Sequence, residues 1–461
     1  MSEEKTRIVQ PFGLWPSPLD ASMVSQGKSL NDVRWDTDGK TLLWVESRGS
    51  MGVLVSKTKD SAARDLTTDE NVRGGVGYGG GEFDVSGSVI VFSSRSGQLY
   101  RRTLADELPT AITPEFGASA SPTISPDGNW VCFIHTDGEN DAIAIVDIEG
   151  CNWPHQLSHD ADFYMQPAWH PSGSLLAWVE WDHPNMPWDG TRLKMAQFSD
   201  GTLVADSIKE LAGDPETPVC QPMFSPDGRY LSYIISNGEW DDLVLLDIKS
   251  GARQILINGE GYILSPNAWI QGVRTYAWSS DSKSIYNIRE FGGVTTLWRT
   301  ELESGSSEKL DLEVYTHIKQ ISVSRTNDQL AFIGTSALHP PRVVSIHDKK
   351  ISIAAYSQSE SIPQDRLPVS RSISWNTSDG SQVYGLYYPP SGGKYTCQGN
   401  PPAIINIHGG PTSHATTAYK AEIAYFCSRG YAWLEVNYRG SSSYGRSYQA
   451  VSYTHLRAHE T

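Results

Sequence analysis

The feature that most constrains this chain is a motif that recurs seven times. In each copy an apolar residue is followed four positions later by a turn residue, and then by a short apolar strand. The anchors are Trp35, Phe83, Ile124, Trp169, Phe224, Trp278 and Val323, so they lie 48, 41, 45, 55, 54 and 45 residues apart. Ile124-Ser125-Pro126-Asp127-Gly128 and Phe224-Ser225-Pro226-Asp227-Gly228 are the clearest copies. Pro presets φ for a turn, and Asp-Gly tolerates the left-handed backbone that a tight hairpin needs. The sixth and seventh copies, residues 278–282 and 323–327, lack the Gly. A period of this length is that of a four-stranded blade with variable loops. Seven copies at near-constant spacing favour an all-β seven-bladed β-propeller over an unrelated β-sandwich.

Composition agrees with short strands and tight turns: the 461 residues include 15 Trp and 41 Gly. The Trp residues at anchor positions are expected mostly in the core between blades. With 37 Lys and Arg against 53 Asp and Glu, the net charge is −16, which argues against binding nucleic-acid or anionic-membrane surfaces. No apolar run reaches membrane-span length, and the start of the chain shows no basic region followed by an apolar core. Cys132, Cys151, Cys220, Cys397 and Cys427 are scattered, with no C-x-x-C pair. They read as reduced, buried thiols of a cytoplasmic protein rather than a disulfide frame or zinc site. No metal or cofactor is expected. Gly75-Val76-Gly77-Tyr78-Gly79-Gly80 fits G-x-G-x-x-G literally, but strand residues Glu82 to Val85 follow it. A dinucleotide site needs a helix there, so this reads as a turn between blades.

The period stops after Pro368. Residues 374–390 read as a hairpin, and Ala403-Ile404-Ile405-Asn406-Ile407 as a buried strand ending in His408-Gly409-Gly410-Pro411. Residues 415–429 show helical spacing, with Gly430 placed as a C-terminal cap. Residues 431–436 form a second buried strand before Asn437-Tyr438-Arg439-Gly440-Ser441. Strand, helix and strand in this order open an α/β domain.

His408-Gly409-Gly410-Pro411, followed by Asn437-Tyr438-Arg439-Gly440-Ser441-Ser442-Ser443-Tyr444-Gly445-Arg446, resembles the opening of the catalytic domain in the prolyl oligopeptidase family. The nearest likeness is to its acylaminoacyl-peptidase and dipeptidyl-aminopeptidase-like branch. Val72-Arg73, residues 78–81 and residues 181–190 are similar to propeller segments of that branch. The resemblance implies a cytoplasmic serine peptidase that hydrolyses peptides through a Ser acyl-enzyme without cofactor or metal. It implies an oxyanion-hole loop at His408, Gly409 and Gly410, with Gly410 as the donor position. Asn437, Arg439 and Gly440 would then shape a loop beside the active site. The loop 181–190 would face the cavity, where Asp182 or Asp189 meets a substrate amino terminus. A solvent-facing loop packed on a neighbouring blade is the equal alternative. The expected partner is a peptide, with no nucleic acid and no membrane, and assembly into a homo-oligomer is left open.

Gly440-Ser441-Ser442-Ser443-Tyr444 fails the G-x-S-x-G nucleophile elbow, which occurs nowhere in the sequence. No catalytic nucleophile, Asp or His is therefore assigned in this chain, and the chain as given is expected to be inactive. The expected organisation is an N-terminal segment 1–30, a propeller 31–368, an incomplete α/β-hydrolase domain 369–449 and a non-native tail 450–461. The tail is inferred because residues 452–461 resemble a translated sequencing adapter. A non-catalytic propeller binding module and an esterase of the same fold remain alternatives.

Overall fold

A computed structural model describes residues 8–25, 27–410 and 412–451. Pro411 and residues 452–461 of the expected tail lie outside the described residues. Ala450 and Val451, the first two residues of that tail, belong to the helix Arg446–Val451.

Seven sheets, each built on four antiparallel strands, follow one another at residues 29–65, 83–111, 118–158, 163–214, 219–258, 276–309 and 317–356. The fourth carries a fifth strand, Lys209–Asp214. Seven hydrophobic clusters fill the gaps between neighbours, and the seventh closes the ring. In it, Val33, Trp44 and Val55 of the first sheet pack with Ala331, Ile333 and Val343 of the last. The second strand of each sheet explains why its sequence is a continuous apolar run. In Thr41–Arg48, Leu42 and Trp44 face the seventh sheet while Leu43 and Val45 face the second. Both faces of the strand are buried, so alternation between apolar and polar residues disappears.

The repeated turns work as expected and add one device. Gly128 and Gly228 adopt φ of 75° and 74°. In both copies the Ser preceding Pro accepts a bond from the backbone N–H that starts the next strand, Trp130 or Tyr230, at 2.9 Å. The same serine donates to the Asp of the turn. The weaker copies keep the left-handed turn without Gly, at Ser282 with φ 61° and Asp328 with φ 53°. Ser282 recovers part of that cost by accepting from the Asp227 N–H at 3.0 Å, and Asp328 by accepting from Ser280 N–H at 2.6 Å.

The anchor tryptophans pack at the clusters between sheets, Trp278 buried within one, but they are not the deepest ones. Trp35 and Trp169 are partly exposed, whereas Trp44 and Trp178, in the second strands, are fully buried. Each belongs to a Trp-x-Glu triplet in which the indole N–H donates to the glutamate two residues on: Trp44 to Glu46 at 2.9 Å, Trp178 to Glu180 at 2.8 Å and Trp433 to Glu435 at 2.9 Å. Residues i and i+2 share one strand face, so the ring brings its own acceptor. A lysine then neutralises each carboxylate: Lys28, Lys194 and Lys420.

After the ring comes a mixed sheet in the order Arg371–Asn376, Gln382–Tyr388, Ala432–Asn437, Ala403–Ile407, the last pair parallel. The helix between the parallel strands is shorter than the sequence periodicity suggested, running only over Ala421–Cys427. Residues 415–420 are instead irregular and tied to their neighbours: Ala415 N–H donates to Asn437 Oδ1 at 2.7 Å, and Thr417 N–H to Gly293 O at 3.0 Å. Those tertiary bonds outweigh one more helical turn. The N-terminal segment also belongs to this unit. Ile8–Val9 pairs with Tyr395–Thr396, and the buried Trp15 lies where a Cβ on Gly392 or Gly430 would stand. All five cysteines are free, but only Cys132 and Cys427 are buried; Cys220 and Cys397 are half-buried and Cys151 is exposed.

Candidate active site

The candidate site forms where the mixed sheet meets the ring. The strand Ala403–Ile407 ends at His408, and Gly410 follows with φ 75°, a left-handed conformation that side chains resist. Nothing lies within 4 Å of a Cβ built on Gly409 or Gly410, so this turn faces open space. The turn is anchored from below. His408 stacks on Tyr438 with ring centroids 4.6 Å apart, and its Nε2 is bonded to Ser441 Oγ at 2.8 Å. Tyr438 hydroxyl donates to the carbonyls of His408 and Gly410, both at 3.2 Å. Burial pushes the His408 imidazole below its usual range.

A second histidine extends this anchor into the ring. His414 Nδ1 meets Ser442 Oγ at 2.8 Å, and its Nε2 is hydrogen-bonded to Glu290 at the end of the ring strand Ser284–Phe291. Burial opposes the charge on Glu290, but the attraction and hydrogen bond of His414 prevail and hold the carboxyl below its usual range. His317 lies in the same neighbourhood, and burial pushes it down to about 4. Neither Glu290, His317 nor His414 was singled out in the sequence. Glu290 lies at the end of a strand of mixed apolar and polar residues and His414 follows the glycine turn, so neither leaves a clear linear signal.

Glu290, His317, His414 and Thr416 line one end of a cavity of about 610 Å³ inside the ring. Its walls include Arg73, Tyr78, Glu82, Arg274 and Lys319. Arg274 pairs with the buried Asp32 at 2.5 Å. Burial, reinforced by Asp32, pushes the Glu82 carboxyl up to about 7. The glycine-rich loop reaches across this cavity, where Gly79 O accepts from Gln271 N–H at 2.8 Å. Gly80 approaches Gln271 so closely that a Cβ would lie 2.4 Å from its carbonyl oxygen.

The other sequence candidates occupy settled positions. Asn437 ties residues 415 and 444 together, donating to Ala415 O at 3.2 Å and to Tyr444 Oη at 2.8 Å. Arg439 turns away from the cavity to Asp379 at 3.0 Å and Ser381 Oγ at 3.0 Å. Gly440 takes φ 110° and its N–H donates to Tyr448 O at 2.8 Å. Asp182 is ion-paired with Arg192 at 2.5 Å and accepts from Asp162 N–H at 3.1 Å. The hydrogen bond from Arg192 holds its carboxyl below the usual range. Asp189 caps its own loop, accepting from Met186 N–H at 3.0 Å. Among the described residues no group of three or more His, Cys, Asp or Glu could hold a metal, and no helix is long and apolar enough to cross a membrane.

This arrangement has close counterparts among solved structures. A puromycin-hydrolysing peptidase from Mycobacterium tuberculosis superposes with a TM-score of 0.88 at 25% identity, covering 96% of this chain and 72% of that one. A puromycin hydrolase superposes with a TM-score of 0.86 at 26% identity, covering 96% and 71%. The acylamino-acid-releasing enzyme of Rattus norvegicus is 21% identical over 309 residues, 61% of this chain and 41% of that enzyme. These likenesses support a place for this chain near the prolyl oligopeptidase family of serine peptidases. No protein-family model matches it. It spans about two fifths of the length of the rat enzyme.

Proposed function

We propose that the chain comprises the seven-bladed β-propeller, residues 31–368, and the opening part of the α/β-hydrolase domain, from residue 369, of a serine peptidase that cleaves peptides. Residues 8–25 pack with the hydrolase part. The observation that carries this reading is the open glycine turn His408–Gly410 held at the end of the ring cavity through His414 and Glu290. In acyl transfer a serine oxygen attacks the peptide carbonyl, whose oxygen becomes negative in the tetrahedral intermediate. The Gly410 N–H is the first donor to that oxygen, and the second is the N–H following the nucleophile. The propeller restricts the cavity to peptides and short unfolded chains. Five free cysteines support a reducing, cytoplasmic setting.

The sequence holds no G-x-S-x-G elbow, so the 461 residues by themselves lack the nucleophile and are inactive. The test is incubation of this chain with a fluorophosphonate probe beside an active serine hydrolase. No labelling is expected. Labelling at a serine of this chain would overturn the assignment.

A further inference from the structure

Beside the central cavity lies a second, smaller one of about 160 Å³ whose walls are aromatic. Trp181 stacks on Phe163 with centroids 5.2 Å apart, and Trp188 packs at 4.4 Å on Trp269. Tyr78 closes one side, its ring edge-on to Trp269 at 5.3 Å. We infer that this cavity receives an aromatic side chain of the bound peptide, an inference that rests on the peptidase reading above.

Size and chemistry both fit. An apolar cavity of roughly 150 Å³ takes one benzene ring. Faces and edges of several rings offer an incoming ring the offset and edge-on contacts that aromatic pairs prefer. The mouth is also exposed to solvent in a way that packing does not explain. Tyr78 is 73% exposed and Ile270 40% exposed, and both line the central cavity as well as this one. An occupant of the central cavity therefore passes directly over the opening.

The connection to the candidate oxyanion turn is covalently short. Trp269 Nε1 donates to Thr412 O at 3.0 Å, only two residues after Gly410. On the opposite side Trp188 and Ala268 are shared with a narrow cleft lined by Ser442, Ser443 and Arg446. The aromatic wall is thus fixed to both loops that frame the proposed reaction centre. A peptide whose carbonyl lies at the 408–410 turn has a neighbouring side chain within reach of this wall.

The test compares alanyl-phenylalanine amide with alanyl-alanine amide, titrated into the intact chain by calorimetry and by tryptophan fluorescence. The phenylalanine peptide is expected to bind about tenfold or more tighter, the range expected for burying one such ring, with a change in fluorescence. Met186→Trp, which fills the cavity from its loop without removing a buried side chain, should abolish that preference. Trp188→Ala should weaken it, with near-UV circular dichroism checking the fold of both variants. Equal binding of the two peptides would overturn the aromatic site while leaving peptide binding intact. So would a preference that survives Met186→Trp in a folded variant. Binding of neither peptide would overturn both this site and the peptide-binding reading beneath it.

Discussion

Glu290 on the ring and His414 on the loop after the glycine turn are hydrogen-bonded across the boundary between the two units. His414 in turn meets Ser442, so a single chain of polar contacts runs from a ring strand through the loop after the glycine turn to the Asn437–Ser443 segment. The contact makes the site a property of both units, with His414 bonded to Glu290 of the ring on one side and to Ser442 on the other.

Replacing Glu290 by Gln should therefore destabilise the protein by about 1–3 kcal/mol near neutral pH, the range for losing a hydrogen bond to a buried charged carboxylate. The carboxyl is held below its ordinary value, so its stabilising contribution is present above that value of 4.5 and is lost as pH falls through the folded pKa. Denaturant unfolding of wild type and Glu290→Gln should show a gap at about pH 7 that closes in acid. A gap independent of pH would disconnect the effect from ionisation.

Glu82 should behave in the opposite sense. Its carboxyl is pushed from 4.5 up to about 7, so the native state holds its proton where the unfolded chain has lost it. Stability linked to Glu82 is full below pH 4.5 and falls as pH rises to about 7. Glu82→Gln should raise the unfolding free energy at about pH 8 by roughly 1–2 kcal/mol, read from denaturant unfolding, and change it little at about pH 4.5.

The buried Trp-x-Glu triplets should show a two-step cost. Trp178→Phe keeps most of the ring volume but removes the donor to Glu180, which keeps Lys194, and should cost about 1–3 kcal/mol. Trp178→Ala also empties the space between the third and fourth sheets and should cost about 3–5 kcal/mol. Urea unfolding of the two variants measures both steps.

The ring was legible in the sequence because its determinants are local. Each anchor sits at a fixed distance from a turn whose backbone needs Gly, Asp or Ser, and Ser282 and Asp328 show that the turn survives where Gly is absent. The glycine turn His408–Gly410 was legible for the same reason. What the sequence left hidden depends on contacts distant along the chain. Glu290 and His414 are 124 residues apart, and Trp269 reaches Thr412 across 143. The helix shortened to Ala421–Cys427 has the same origin, since Asn437 and Gly293 claim residues that periodicity alone assigns to it. Arg439 is expected from its motif to shape a loop beside the active site, and the sequence does not show that its charge is paired with Asp379 on the neighbouring hairpin.

The central claim is that a peptide lies in the ring cavity against the 408–412 turn. Its most direct test is a nitrogen-15 spectrum of the intact chain titrated with alanyl-phenylalanine amide, following the Gly409 and Gly410 amides and the tryptophan indoles. The account predicts saturable shifts at Gly410 and at the Trp269 indole, with Trp153, which is 76% exposed and lines a different cavity, unmoved. Shifts confined to Trp153 and its surroundings, with Gly410 and Trp269 silent, would contradict it.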